Sequence, residues 1–195
     1  MPRTIIGERV IMGIDPGTTV MGYSIVRTKG KKLEVVVMGV IELHKYKSHY
    51  SKLQKIFDRV TQLIAEYSPT ELAIEAPFFG KNVQSMLKLG RAQGVAMAAA
   101  LVHELPIFEY APRKIKNAIT GMGTASKEQV AAILKQQLKL KEIPTLLDAT
   151  DALGAAVCHF YQSTSILATS GTPVVSSSKW SDFIKNNPDK VKKNK

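Results

Sequence analysis

The 195-residue sequence has little cysteine, few acidic residues and no long apolar run. Its single cysteine, Cys158, cannot form an intramolecular disulfide or a thiolate zinc cluster, which indicates a reducing compartment. The longest apolar stretches, 35–41 and 94–102, are too short to span a bilayer, and residues 1–10 lack the apolar segment of a secretion signal. We therefore expect a soluble, cytoplasmic protein.

The shortage of acids leaves the chain strongly basic. Lysine and arginine number 27 against 16 aspartates and glutamates, which gives a formal charge of +11. A charge of this size favours a polyanionic partner, and nucleic acid or an anionic membrane surface would both fit.

The composition predicts one folded domain followed by a tail. A hydrophobic content of 45% in a chain of this length allows a single domain with a sizeable core, which we place at 1–162. Residues 163–195 change to Ser, Thr, Gly and Pro and then to Lys, and we expect a mostly disordered basic tail. The predicted domain keeps +7 of the charge, so it is basic in its own right.

The spacing of apolar residues predicts an α/β fold that begins with three antiparallel strands. Short apolar runs bounded by turn residues indicate strands, and apolar residues three and four apart indicate helices. The predicted strands are 10–14, 20–27, 33–43, 72–75 and 106–110. The predicted helices are 51–67, 84–104, one opened by a capping box of Ser126 and Gln129, and 147–161.

Four acids form an ordered series along these elements. Asp15 and Glu75 each end a predicted strand, whereas Asp148 and Asp151 lie three apart on the last helix and can face one point. Four carboxylates at one site repel each other unless cations lie between them, and carboxylate oxygens suit Mg²⁺ or Mn²⁺. Two such ions, roughly 3.5–4 Å apart, would clamp a phosphodiester for hydrolysis.

Each acid also has a local structural explanation. Asp15-Pro16-Gly17 is common turn chemistry, and Glu75 could be a surface acid before a proline. Asp148 could cap the last helix, with Asp151 favoured by the helix dipole. Spacing alone does not show that the four side chains meet.

Several other side chains are candidates for contacts with nucleic acid. Phe78 and Phe79, beside Gly80-Lys81-Asn82, could stack on unpaired bases or could cap the core. Lys116 and Lys127 flank a Gly-rich break, where phosphate contacts and ordinary solvation are both open. His159 lies about 12 Å beyond Asp151 along a helix, so we interpret it as a structural histidine.

The complete series of motifs resembles the RuvC family of bacterial Holliday-junction resolvases over about residues 9–162. The segments that carry the resemblance are 11–17, Ile74-Glu75 with Phe78, Lys88-Leu89-Gly90, Tyr110-Ala111-Pro112, Gly121-Met122-Gly123 and 148–153.

The resemblance implies an RNase H-like α/β fold, a mixed five-stranded sheet with helices on both faces. It implies that Asp15, Glu75, Asp148 and Asp151 are catalytic and bind Mg²⁺, two ions per active site, with Mn²⁺ as a substitute. It also implies DNA contacts by Phe78, Lys81, Lys116 and Lys127. A homodimer would make paired symmetric nicks in a four-way junction during recombination and repair, leave 5′-phosphate and 3′-hydroxyl ends, and work with the RuvA and RuvB branch-migration proteins.

Two other functions are weighed against this one. Residues 15–19 also resemble the phosphate-binding turn of sugar kinases and actin-like ATPases, but those proteins need two large lobes and a second Gly-rich turn. A junction-binding module without catalysis would explain the charge. It would not explain the four acids, since binding a polyanion gives no reason to gather carboxylates.

Overall fold

The computed structural model describes residues 8–77, 82–142 and 146–169, with side chains up to Thr164. Its centre is one mixed sheet of five strands in the order β3-β2-β1-β4-β5. The first three strands are antiparallel, and β1, β4 and β5 are parallel. The strands are β1 (Arg9–Asp15), β2 (Val20–Lys29), β3 (Lys32–Glu42), β4 (Glu71–Glu75) and β5 (Ile107–Tyr110). The predicted fold class and the antiparallel start are confirmed.

Helices cover both faces of this sheet. Alternate residues of β1 separate two buried clusters: Met12 and Ile14 pack with the first two helices, whereas Ile11 packs with the last three. The helices are α1 (His49–Tyr67), α2 (Val83–Val102), α3 (Pro112–Thr120), α4 (Lys127–Leu138) and α5 (Asp148–Thr169), and a short 3-10 helix, Leu43–Lys45, precedes α1. Among the described residues, no helix is long and apolar enough to cross a bilayer.

Capping residues explain where most of the helices begin. The side chains of Ser48 and Asn82 accept hydrogen bonds from the first turns of α1 and α2. The capping box of Ser126 and Gln129 is confirmed at α4. The sequence analysis missed α3, although a proline at its first position and the spacing of its buried isoleucines were available signals.

The last helix is longer than predicted. It continues to Thr169 instead of ending at Tyr161. The physical reason is that this segment contains no Gly or Pro and includes Ile166, Leu167 and Ala168, all of which a helix accommodates. The chain divides into two units after Gln162, and the first contains the whole sheet. The assignment of 163–195 as a separate tail stays a prediction.

Glycines let α5 lie very close to the sheet. A Cβ at Gly13 would stand 2.1 Å from the carbonyl oxygen of Ala152, and one at Gly22 would stand 1.9 Å from that of Asp148. Ser24 fixes the contact, since its hydroxyl donates to the Ala152 oxygen at 3.1 Å. Any side chain at Gly13 or Gly22 would push the start of α5 away from β1 and β2.

His159 on α5 is confirmed as a structural histidine. It is 2% exposed, and its two ring nitrogens contact Tyr110 Oη at 2.7 Å and the Glu71 carboxylate at 2.8 Å. Glu71 also pairs with Arg9 at 3.3 Å. The imidazole therefore joins α5 to β4 and β5 through buried polar contacts.

Replacing this histidine tests its structural role. We expect His159→Leu to lower the free energy of unfolding by about 2–4 kcal/mol, because the buried Glu71 carboxylate keeps only Arg9 as a partner and the Tyr110 hydroxyl loses its bond to the imidazole. Urea denaturation would measure the loss. His103→Leu, in an exposed turn, is the matched control and should change stability by less than about 0.5 kcal/mol. Equal stability of the two variants would contradict this role.

Candidate active site

Two predicted site residues are brought together by neighbouring parallel strands. Ile14 of β1 and Ile74 of β4 are register partners, and Asp15 and Glu75 follow them directly. Because β1 and β4 are parallel and hydrogen-bonded, their last residues lie side by side at one edge of the sheet. The two carboxylates therefore stand at the carboxyl ends of adjacent strands.

The start of α5 brings the other two acids to the same edge. Gly22 is the register partner of Asp15, and it is also the residue against which the Asp148 carbonyl rests. Asp151 lies in the same first turn of α5. Acids from β1, β4 and α5 thus converge, although 133 positions of sequence separate Asp15 from Asp148.

Burial and mutual repulsion make Asp15 and Glu75 hard to ionise. Burial is the largest cause that raises the pKa of Asp15 to about 8, followed by the charges of Glu75, Asp151 and Asp148, with Lys127 opposing. Burial also raises the pKa of Glu75 to about 7, together with Asp151, while Lys127 and Lys116 lower it. The site therefore needs added positive charge for all of its carboxylates to be ionised at neutral pH.

Two predicted lysines lie beside these acids. The Lys127 ammonium of α4 contacts the Asp151 carboxylate directly. Burial lowers the pKa of Lys127, but the hydrogen bond to Asp151 and the charges of Asp151, Asp15 and Asp148 outweigh it, so the net shift is upward. Lys116 of α3 shares with Lys127, Glu75 and Asp151 a cavity of about 140 Å³.

Gln93 supports the site and was missed by sequence reasoning. It is buried on α2, and its Nε2 donates to the backbone oxygen of Glu75 at 3.5 Å and to Glu109 Oε2 at 3.0 Å. It therefore fixes the end of β4 from the opposite face of the sheet. A glutamine in an Ala-rich helix gives no signal of this contact, because the packing partner of α2 cannot be read from its own sequence.

Comparison with known proteins decides the family. Residues 11–159 match the family of crossover junction endodeoxyribonuclease RuvC. The RuvC of Cytophaga hutchinsonii is 59% identical over 98% of this chain and 91% of its own length, and that of Porphyromonas gingivalis is 58% identical over 95% and 98%. The solved Thermus thermophilus RuvC superposes with a TM-score of 0.73 at 31% identity, over 80% of this chain and 96% of that one. A second Thermus RuvC structure, a complex with a Holliday junction substrate, gives 0.74 at 31% identity, over 80% and 94%.

This chain belongs to the RuvC family. Its activity is therefore that of a crossover junction endodeoxyribonuclease, a hydrolase that resolves Holliday junctions, and the predicted family and function are confirmed. RuvC nucleases are metal-dependent, so the fit of these residues to a metal is the next question.

The donor set fits a hard divalent cation. The four acids offer only carboxylate oxygens, the ligands that Mg²⁺ and Mn²⁺ prefer, and the raised pKa values of Asp15 and Glu75 show a site short of positive charge. Among the described residues, no three His, Cys, Asp or Glu side chains are already grouped tightly enough to enclose one ion. Lys127 contacts one carboxylate oxygen of Asp151, so it occupies part of the donor set that an ion would use.

Two predicted DNA contacts cannot be placed on this RuvC chain. Phe78 and Lys81 lie outside the described residues, as does Phe79, the alternative stacking residue.

The crowding of carboxylates predicts that Asp15 weakens the fold. A folded-state pKa of about 8, far above that of an unfolded aspartate, means that the protonated form is favoured in the folded protein. The stability that comes with this proton is complete at low pH and is lost as pH rises from about 4 to about 8. With EDTA at pH 8, we expect Asp15→Asn to raise the Tm by several degrees, since 1 kcal/mol corresponds to roughly 2–4 °C in a chain of this size.

Thermal denaturation at pH 8 and at pH 5 would measure this effect. The difference between Asp15→Asn and the parent should shrink as pH falls, because the parent carboxyl then becomes neutral too. A variant less stable than its parent at pH 8 would show that the Asp15 charge is well accommodated.

Proposed function

We propose that Asp15, Glu75, Asp148 and Asp151 bind two Mg²⁺ ions, which Mn²⁺ can replace, and that this RuvC chain cuts phosphodiesters there to leave 5′-phosphate and 3′-hydroxyl ends. The single observation that carries the proposal is the meeting of β1, β4 and the start of α5, which places four acids beside two lysines at one sheet edge. When bound, such ions supply an activated water and a Lewis acid for the leaving oxygen.

Lys116 and Lys127 would bind the DNA backbone next to the four acids. Lys116 and Lys127 line the same cavity as Glu75 and Asp151, so a phosphate that enters it meets two ammonium groups. Lys127 also neutralises Asp151 through their ion pair. On this proposal Lys127 would move from the Asp151 carboxylate to a phosphate once cations neutralise the acids.

The substrate and partners follow from the family. A Thermus relative has been solved with a Holliday junction substrate, and we propose the same four-way junction for this chain. We further propose that Phe78 and Lys81 contact the junction, that the protein works in the cytoplasm, and that RuvA and RuvB act with it. The basic charge of the chain supports a DNA substrate.

A stripe along α2 supports the proposed homodimer. Val83, Leu87 and Leu101 are 68%, 52% and 62% exposed, which is unusual for aliphatic side chains on one helix. Gly90 and Gly94 lie between them, and a Cβ at either glycine would meet nothing within 4 Å. An exposed apolar stripe with two glycines lets another helix approach closely, and a second copy of α2 satisfies two-fold symmetry.

Cleavage of a labelled four-way junction tests the proposed site. We expect Asp15→Asn, Glu75→Gln and Asp151→Asn each to reduce Mg²⁺-dependent nicking by at least about 100-fold, because each removes a cation ligand. Junction binding should survive in each, since the positive surface is unchanged. Asp58→Asn, on the exposed side of α1, makes the same change in charge away from the site and serves as the matched control.

Two outcomes of the cleavage assay would contradict the proposal. Full cleavage by Asp15→Asn would remove the proposed metal site. Binding by the parent protein without nicks, with Mg²⁺ and with Mn²⁺ and over varied junction sequences, would leave a junction-binding protein without catalysis.

The dimer proposal is tested with a matched pair of alanines. Ala98 lies on the exposed side of α2 in line with Leu87 and Gly94, whereas Ala132 lies on the exposed side of α4. We expect Ala98→Glu to weaken dimerisation by at least about tenfold, because it buries a charge at the contact, and Ala132→Glu to leave it unchanged. Sedimentation velocity would measure both. A fully dimeric Ala98→Glu would exclude this stripe as the interface.

A further inference from the structure

A second group of basic side chains, three cations and one histidine, lies at the same sheet edge but on the opposite face. His49 and Lys52 are in the first turn of α1, and Lys88 and Arg91 are three apart on α2; we name these four the α1–α2 cation cluster. Lys116 and Lys127, by contrast, are on α3 and α4, which cover the other face of the sheet. The cluster is not part of the site proposed above.

Topology brings the cluster close to the acids. Because α1 leads into β4, and α2 leads from β4 to the parallel β5, both helices begin at the edge where β1 and β4 end. The Lys52 Nζ donates to the backbone oxygen of Thr18 at 3.0 Å, and Thr18 belongs to the turn that follows Asp15. The backbone amides of Leu43 and His44, just before α1, donate to the neighbouring Thr19 oxygen at 2.9 Å.

Within the part of the chain that the structure describes, the charges of Lys52, Lys88 and Arg91 are not balanced by acids. Among the described residues, none of the four side chains forms an ion pair with a carboxylate. The Nε2 atom of His49 is buried and has no hydrogen-bond partner among the described residues. Burial and then the charges of Arg91, Lys88 and Lys52 lower the pKa of His49, so the imidazole is neutral at neutral pH and the positive charge of the cluster comes from the other three side chains. Cations gathered in this way repel each other unless an anion joins them.

We propose that the α1–α2 cation cluster binds a backbone phosphate of the junction DNA other than the phosphate that is cut. This inference rests on the proposed function and extends it, since the acids then lie between two sets of phosphate-binding groups, one on each face of the sheet. Duplex DNA carries a charge about every 1.7 Å along its axis, so a strand that crosses the acids also passes cations on both sides. Arg91 can hold a phosphate through two parallel hydrogen bonds, and Lys88 adds a point charge.

The salt dependence of junction binding tests the proposal. The cluster variant is Lys88→Gln/Arg91→Gln, in which both altered residues are exposed. The control variant is Lys31→Gln/Lys32→Gln, at the β2–β3 turn, which removes the same charge from the opposite end of β1. A fluorescently labelled four-way junction is titrated with each protein in EDTA at several salt concentrations, and sedimentation velocity checks that both variants keep the parent's oligomeric state.

We expect the cluster variant to bind the junction about tenfold more weakly than the parent near 100 mM salt. The slope of log binding constant against log salt concentration should become shallower by about 1, because one phosphate contact is lost and each contact contributes about 0.9. The control variant should keep the parent's slope to within about 0.5.

Two failures are distinguishable. A parent protein that nicks the junction, together with a cluster variant whose slope equals that of the control, overturns the phosphate site and leaves the nuclease function intact. A parent protein that binds with the expected slope but never nicks overturns the proposed function, while the difference between the two variants still shows whether the cluster holds a phosphate.

Discussion

The close approach of α5 to the first two strands is the constraint on which the site depends. Gly13 and Gly22 leave room for the α5 backbone where any side chain would collide with it. Because Gly22 is the register partner of Asp15, the same contact that packs the helix also sets Asp148 and Asp151 opposite the end of β1. Packing and chemistry therefore share one interface, and the buried contacts of His159 hold the same helix farther along.

The structure stabilises a site whose parts repel each other. The carboxylates come from three elements that the hydrophobic core holds in place, so they cannot move apart to relieve their charge. Partial neutralisation comes from Lys127 and Lys116, and the remaining deficit appears as the raised pKa values of Asp15 and Glu75. A site arranged in this way lowers fold stability and favours divalent cations, which is a common relation between stability and function.

Much of the fold could be predicted from the sequence, because most strands and helices are indicated by patterns of neighbouring residues. The strand ends at Asp15 and Glu75, the capping box at Ser126 and the hairpin all rest on signals within a few residues. The predicted end of α5 is too early. The Ser and Thr residues after Tyr161 indicate a tail, but 163–169 contains no residue that breaks a helix, and the helix continues to Thr169.

The convergence of the acids could not be derived from spacing, because it depends on long-range packing. The start of α5 reaches the end of β1 only through its contact with β2, and only the resemblance to RuvC proteins implied this beforehand. Gln93 and the α1–α2 cation cluster were not predicted for the same reason. Their side chains lie on helices whose partners become known only when the sheet is assembled.

The most direct test of the account is a crystal structure of the protein grown with Mn²⁺ and measured at the manganese absorption edge. The account predicts anomalous density between the carboxylates of Asp15, Glu75, Asp148 and Asp151, with the Lys127 ammonium displaced from Asp151. Manganese bound elsewhere, with Lys127 still on Asp151 and no density among the four acids, would contradict the claim that these residues form the metal site of a junction-cutting nuclease.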